Sequence, residues 1–207
     1  MSVRVAIIYY SSTGTIHRLA TTAAEAAEEG GAEVRLRRVA ELAPPQAVAS
    51  RPEWAAHLEA TADVPLAELD DLRWADVYLF GTPTRYGNVA AQLKQFLDST
   101  GPLWMAGELA GKVVGGFTGA STLHGGHETT LLALYNTVHH WGGVIVSAGY
   151  ATPELFQAGN PYGVSALAGR DGTAPTEDDR NAMRSYTGRV LRVGAAVAAL
   201  NKEEAAA

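Results

Sequence analysis

Ser11-Ser12-Thr13-Gly14-Thr15 gathers four hydroxyls around one glycine, directly ahead of a helical apolar spacing that begins at Ile16. Helix-end N–H groups and hydroxyls can hold a phosphate dianion without a lysine, because the donors are preorganised and the helix end is partly positive. Charge-assisted hydrogen bonds contribute about 1.5–3 kcal/mol each, so a handful of them is a useful anchor. Read alone, such a run is equally an ordinary capping loop. No Gly-Lys-Ser/Thr follows, so it is not a Walker loop, and G-x-G-x-x-G is absent, so it is not the dinucleotide fingerprint. A monophosphate is the expected ligand.

Two further stretches could work with it. Gly81-Thr82-Pro83-Thr84-Arg85-Tyr86-Gly87-Asn88 reads as a loop after a buried strand, with exposed amides suited to the edge of a polar planar ring. Tyr86 offers a flat face, and Arg85 could put positive charge beside an electron-rich ring, although an isolated arginine is more often solvated or ion-paired. Thr118-Gly119-Ala120-Ser121-Thr122-Leu123-His124-Gly125-Gly126 adds more hydroxyls and backbone donors.

The elements that must position these loops follow from periodicity. Val3 to Tyr10 is a nearly unbroken apolar run, as in a strand buried on both faces. Ile16, Leu19, Ala20, Ala23, Ala24 and Ala27 mark one face of a helix ending near Gly30-Gly31. Glu33 to Arg38 alternates and belongs near a sheet edge, while Val77 to Gly81, Val113 to Phe117 and Val144 to Ala148 read as three more strands. Helices are expected around Val89 to Leu97 and from about Gly126 to Trp141. A last one is capped by Thr176 and carries Met183, Tyr186, Val190, Val193, Val197 and Leu200 as its stripe. Strands alternating with helices predict an α/β fold: an open five-stranded parallel sheet of order 2-1-3-4-5, helices on both faces. In such sheets ligands sit beyond the carboxyl ends of the strands, where all three loops converge.

Composition sets the outer bounds. The 207 residues carry 16 Lys+Arg and 22 Asp+Glu, a net charge of −6, which argues against a nucleic-acid binder held by phosphate neutralisation. With 47% hydrophobic and 18% charged residues the chain can bury a substantial core. It contains no cysteine, which excludes disulfides, thiol nucleophiles and iron–sulfur clusters. No apolar run approaches the roughly 18 residues of a membrane span, and MSVRVAIIYY lacks a signal-peptide cleavage pattern, so a cytoplasmic protein is expected. One domain over residues 1–201 is expected, with insertions near 39–65 and 151–175 and a frayed tail over 202–207.

At the loops a resemblance becomes specific. Tyr9-Tyr10-Ser11-Ser12-Thr13-Gly14-Thr15-Ile16, Gly81 to Asn88, and Phe96-Leu97-Asp98 with Gly101-Pro102-Leu103-Trp104 are similar to the WrbA family of flavodoxin-like quinone oxidoreductases. Phe117-Thr118, His124 to Thr130, His139-His140, Pro161-Tyr162-Gly163 and Asp171-Gly172 continue the match in order over nearly the whole chain. The resemblance implies FMN as cofactor, with its phosphate on Ser11, Ser12, Thr13, Gly14, Thr15 and Ile16. It implies that Pro83, Thr84, Arg85, Tyr86, Gly87 and Asn88 line the ring, and that Thr118, Gly119, Ala120, Ser121, Thr122, Leu123, His124 and Gly125 contact ring and ribityl chain. It further implies His140 at the flavin pocket across a subunit interface, Trp104 as a wall of the substrate space, and a homotetramer. Thr13 stands where the family often has an aromatic residue linked to nicotinamide binding, so NADH and NADPH both remain open as co-substrate. Trp141 stands where glycine is common, and the third loop is a residue longer than in some relatives.

The implied reaction is two-electron reduction of quinones to hydroquinones by NADH or NADPH, in ping-pong order because one flat site cannot stack both partners. The bound flavin does the redox chemistry and no side chain is assigned as acid or base. Two rivals are weighed: a flavodoxin-type electron carrier, for which −6 is a modest charge, and a transcription-associated partner protein, for which no basic patch or helix-turn-helix is visible. Of six histidines, His124, His127, His139 and His140 are near one another in sequence, yet no H-E-x-x-H accompanies them and no metal site is expected. No G-x-S-x-G nucleophile elbow appears.

Overall fold

The computed structural model describes residues 2–169 and 172–205. Its first unit runs along β1 (Arg4–Tyr9), through a short loop into α1 (Thr15–Glu29), and back along β2 (Glu33–Arg38). Then come α2 (Pro45–Ala49), α3 (Pro52–Ala60), α4 (Leu69–Trp74), β3 (Val77–Arg85), β4 (Asn88–Val89), α5 (Ala91–Asp98) and α6 (Gly101–Met105). The remainder holds β5 (Val113–Ala120), α7 (His127–Trp141), β6 (Val144–Ile145), α8 (Pro153–Ala158), β7 (Val164–Leu167) and α9 (Glu177–Ala205). Parallel strands lie in the order β2-β1-β3-β5-β6, β4 folds back antiparallel on β3, and β7 pairs with β5. With the hairpin strand β4 and the added β7 set aside, this is the expected 2-1-3-4-5 order. No helix among the described residues is long and apolar enough to cross a membrane.

The unbroken apolar run of β1 has a two-sided explanation. Val5, Ile7 and Tyr9 pack with Ile16, Leu19, Met183 and Tyr186 beneath α1 and α9. Ala6, Ile8 and Tyr10 point the other way, into a layer with Leu72, Leu93, Leu131 and Val138 from α4, α5 and α7. Alternate side chains thus feed two cores, and each fully buried aliphatic side chain contributes about 1.5–3 kcal/mol. The edge strand β2 is only half-buried, as its alternation predicts. Arg37 there pairs with Asp71 and Arg35 with both Asp70 and Asp71, and Arg35 also lies 4.3 Å over the Trp74 ring.

Three expectations need correction. The fifth strand, read as Val144 to Ala148, is only Val144–Ile145; the outer half of β5 takes its partner from the 151–175 segment, with Phe117 opposite Val164 and Ala120 opposite Leu167. The chain comes so close there that a Cβ on Gly163 would lie 2.2 Å from the Gly116 carbonyl oxygen. That insertion is therefore part of the sheet, while the 39–65 segment folds into α2 and α3 outside it. Second, the stretch after Gly81 is not a loop: β3 continues to Arg85 and turns into β4. Third, α9 persists through Ala205, into the segment expected to fray. Its start is closed by Thr176 as predicted, since Thr176 Oγ1 accepts from the Asp179 N–H and Asp179 accepts from the Thr176 N–H. Asp171, Ala206 and Ala207 lie outside the described residues.

Candidate functional site

The site begins where β1 ends. Tyr10 N–H reaches the Gly81 carbonyl at 3.0 Å, so the first loop leaves the sheet beside β3. Ser11 Oγ accepts from the Gly14 N–H at 3.0 Å, curling the loop back on itself. Gly14 holds φ +100°, a left-handed geometry that favours glycine, and launches α1 with no side-chain cap. The N–H groups of the first turn of α1 are therefore left for an incoming acceptor. Thr15 Oγ1 donates to the Thr173 carbonyl at 2.9 Å, and a Cβ on Gly172 would lie 2.5 Å from the Thr13 carbonyl oxygen, so the returning 172–173 backbone braces the loop from outside.

A cleft of about 30 Å³ opens against this loop, lined by Ser11, Ser12, Thr13, Thr15 and Ile16, with Pro83, Gly119 and Ala168 closing it. The three predicted segments thus meet at one point, joined by Ala168, which sequence reasoning missed. The donor set fits a phosphate monoester: uncapped helical amides, several hydroxyls, and a guanidinium at the rim, since Arg85 Nη2 approaches Ser12 Oγ at 3.4 Å.

The second segment is a hairpin. Thr84 pairs with Val89 and Arg85 with Asn88, and the connecting Tyr86 and Gly87 have φ of 53° and 76°. Both central residues in the left-handed region is the geometry of a type I′ turn, which matches strand twist but strains any residue with a Cβ. Tyr86 is the single non-glycine with positive φ among the described residues, and its ring is wholly exposed. The turn is fixed nonetheless: Thr84 Oγ1 accepts from the Gly87 N–H at 3.1 Å and from Thr130 Oγ1 at 2.8 Å, and Asn88 Nδ2 donates to the Tyr86 carbonyl. Strain kept in place by surrounding bonds, with a bare aromatic face at its tip, suits a platform for a flat ring.

The third segment divides. Thr118 is fully buried and its hydroxyl donates to the Thr82 carbonyl at 2.7 Å, so that side chain stitches β5 to β3. Gly119 lines the cleft and Ala120 is buried, whereas Ser121, Thr122, Leu123 and His124 are exposed, followed by a half-buried Gly125 whose N–H reaches the Thr122 carbonyl. Gly126, at φ +91°, opens α7 without a side-chain cap. His127 behind it is buried, with Nδ1 unpartnered among the described residues, and burial lowers its pKa.

Trp104 and His140 are not with the loops. Trp104 Nε1 donates to the His140 carbonyl at 2.8 Å, and both side chains are exposed where α7 ends beside Gly111, just ahead of β5. A helix of 15 residues is about 22 Å long, which separates that pair from the third loop.

Above the first loop lies the 39–65 segment. Glu41 anchors it: Oε2 accepts from Tyr10 Oη and Trp54 Nε1, and Oε1 from Gln92 Nε2 and the N–H groups of Leu42 and Ala43. Burial pushes this carboxyl up, but the bonds from Ala43, Gln92, Tyr10 and Trp54 outweigh it and hold it below 4.5. Among the described residues no three His, Asp or Glu side chains cluster as a metal site would require.

Comparison with known proteins bears on this arrangement. Residues 3–156 match the family described as NADPH-dependent FMN reductase. A Deinococcus radiodurans protein named NAD(P)H dehydrogenase (quinone) is 43% identical, covering 93% of this chain and 96% of its own. A protein of the same name from Geobacter sulfurreducens is 42% identical over 90% and 95% of the two chains. Among solved structures, a flavodoxin, WrbA-like protein from Agrobacterium tumefaciens superposes with a TM-score of 0.67 at 27% identity, covering 93% of this chain and 98% of its own. An archaeal flavodoxin, 14% identical with a TM-score of 0.61 over 93% and 99%, shares the fold.

Proposed function

The chain belongs to the NADPH-dependent FMN reductase family, and from that premise we propose how its residues serve FMN-dependent NAD(P)H:quinone oxidoreduction. The observation that supports the reading most is the uncapped, hydroxyl-lined start of α1 beside a strained, exposed Tyr86. FMN held by these residues would supply two-electron redox chemistry between a nicotinamide and a quinone.

The protein's part is binding and orientation. Ser11, Ser12 and Thr13, with the first amides of α1 from Thr15 and Ile16, hold the phosphate. Pro83 and Gly119 close the cleft around it, and the Thr84-to-Asn88 hairpin with Ser121 to Gly125 borders the ring. Tyr86 gives one stacking face, which nicotinamide and quinone occupy in turn, so turnover is ping-pong. No side chain of the described loops is needed as acid or base. Because Trp104 and His140 sit at the far end of α7, this reading has them reach the pocket from a second copy, as the homotetramer implied by the family resemblance would supply. A cytoplasmic location accords with a nicotinamide donor.

Purified protein should absorb as a flavoprotein, bleach with NADH or NADPH, and regain colour with benzoquinone; a colourless protein that gains no colour on adding FMN overturns the reading. Double-reciprocal plots should be parallel, and intersecting lines would remove the shared stacking face. T13V/T15V should weaken FMN binding by about tenfold or more, because the Thr13 hydroxyl is lost as a donor and the loop loses the Thr15 bond to the Thr173 carbonyl that braces it.

A further inference from the structure

The phosphate loop has no cation of its own, but besides Arg85 at its rim a second guanidinium and an imidazole approach it from elsewhere. A Cβ placed on Gly14 would lie 3.2 Å from Arg18 Nη1 and 3.5 Å from His57 Nδ1, so both groups cover the outer side of the residue that opens α1. Arg18 belongs to the second turn of that helix and is steadied by the Gly172 carbonyl at 3.3 Å. His57 comes from α3 in the 39–65 segment, whose attachment through Glu41 brings it over the loop, and a narrow cleft runs from Ser11 to His57.

We propose that Arg18 and His57 complete the phosphate site as its cationic flank, and that His57 takes up a proton from solvent when a phosphate monoester binds to Ser11–Thr15. The inference rests on the reading of that loop as the FMN phosphate site. The groups facing His57 are His17 and Arg18 from α1, Tyr9 from β1, and Arg38 and Glu41 across the cleft. His17 shares a 2.6 Å hydrogen bond with the Tyr9 hydroxyl, which burial pushes up to about 12, and burial lowers the pKa of His17 as it does that of His57. His57, with its ring centroid 5.5 Å from that of His17, is the histidine whose Nδ1 lies beside Gly14. Burial, then the charges of His17 and Arg18, lower it from 6.5 to about 4 without ligand. A dianion at the loop opposes those effects and favours the protonated ring.

FMN titration of the apoprotein, followed by loss of flavin fluorescence, tests this at about pH 8 and about pH 5.5, with riboflavin as the ligand that lacks the phosphate. If binding returns His57 to its ordinary value, the wild type should gain about tenfold in FMN affinity relative to H57Q at the lower pH and almost nothing at the higher. Comparing the two proteins at each pH cancels the phosphate's own titration near pH 6. Riboflavin should bind both proteins alike, which also shows that H57Q is folded. R18Q should weaken FMN at both pH values. Parallel FMN profiles for wild type and H57Q, or an equal loss with riboflavin, would overturn the inference and leave the cofactor reading intact. No binding of FMN by the wild type at either pH would overturn the cofactor reading itself.

Discussion

Glu41 and Asp76 are both carboxylates that burial pushes up and hydrogen bonds pull back below their ordinary values, but they occupy opposite ends of the sheet. Asp76, just before β3, faces a cation: Arg4 donates from its backbone N–H at 3.1 Å and from its guanidinium at 3.2 and 2.9 Å. Glu41, just beyond the carboxyl ends, is surrounded by neutral donors only, from Tyr10, Trp54, Gln92 and two backbone amides. The amino end is closed by charge cancelling charge. The carboxyl end holds an uncancelled anion with dipoles, so the guanidiniums of Arg18 and Arg85 and the imidazole of His57 near the first loop are left without a carboxylate partner among the described residues. A scaffold end and a binding end can therefore be told apart by which charges are left uncommitted.

E41Q should cost the most, about 2–3 kcal/mol in urea unfolding, because an amide turns its NH2 toward groups that themselves donate. FMN affinity should fall with it, since α3 and His57 lose their anchor; an E41Q protein with unchanged FMN affinity would break the link between that anchor and the site. D76N should cost less, about 1–2 kcal/mol, as Arg4 is partly solvated and screened, and it should leave FMN affinity alone. Equal losses of FMN in the two variants would erase the distinction between the ends. The same pair sets the acid limb. A carboxylate held below its unfolded value contributes stability that is present above that value and lost as pH falls through the folded one. The E41Q/D76N double variant should therefore show a flatter decline of stability below about pH 4.5 than the wild type, measured by urea midpoints. The smallest effect belongs to Tyr86. Y86N should raise stability by about 1 kcal/mol, because Asn tolerates the left-handed turn, while quinone turnover falls with the loss of the ring. Unchanged turnover would take Tyr86 out of the stacking face.

Much of this was legible before any coordinates. The two-sided burial of Val5 to Tyr10, the alternation of Glu33 to Arg38 and the capping role of Thr176 are local properties, and local spacing reports them faithfully. The hydroxyl loop is legible for the same reason: Ser11 and Gly14 make their turn from their own short-range bond, although the Thr173 carbonyl that braces Thr15 is distant in sequence. What stayed hidden depends on distant partners. Val146 to Ala148 look like strand, but the place beside β5 is filled by Val164–Leu167, a competition no window of sequence contains. Tyr86 was recognised as aromatic, yet its left-handed backbone runs against residue preference and is imposed by Thr84 and Thr130. Arg18 and His57 converge on Gly14 only once α3 is docked, and the separation of Trp104 and His140 from the loops follows from the direction in which α7 runs.

The divided partner of β5 has a consequence in time. Its first residues pair with Val144–Ile145 across a single helix, a short excursion that closes readily. Its last residues, the ones beside the cleft, must wait for Val164–Leu167, roughly fifty residues downstream, and contacts between distant parts of a chain form late. A growing or refolding chain would zip the amino half of the sheet first and only afterwards dock the strand that carries Ala168 to the phosphate loop. The cleft is complete only when Val164–Leu167 has paired with β5 and set Ala168 against the phosphate loop.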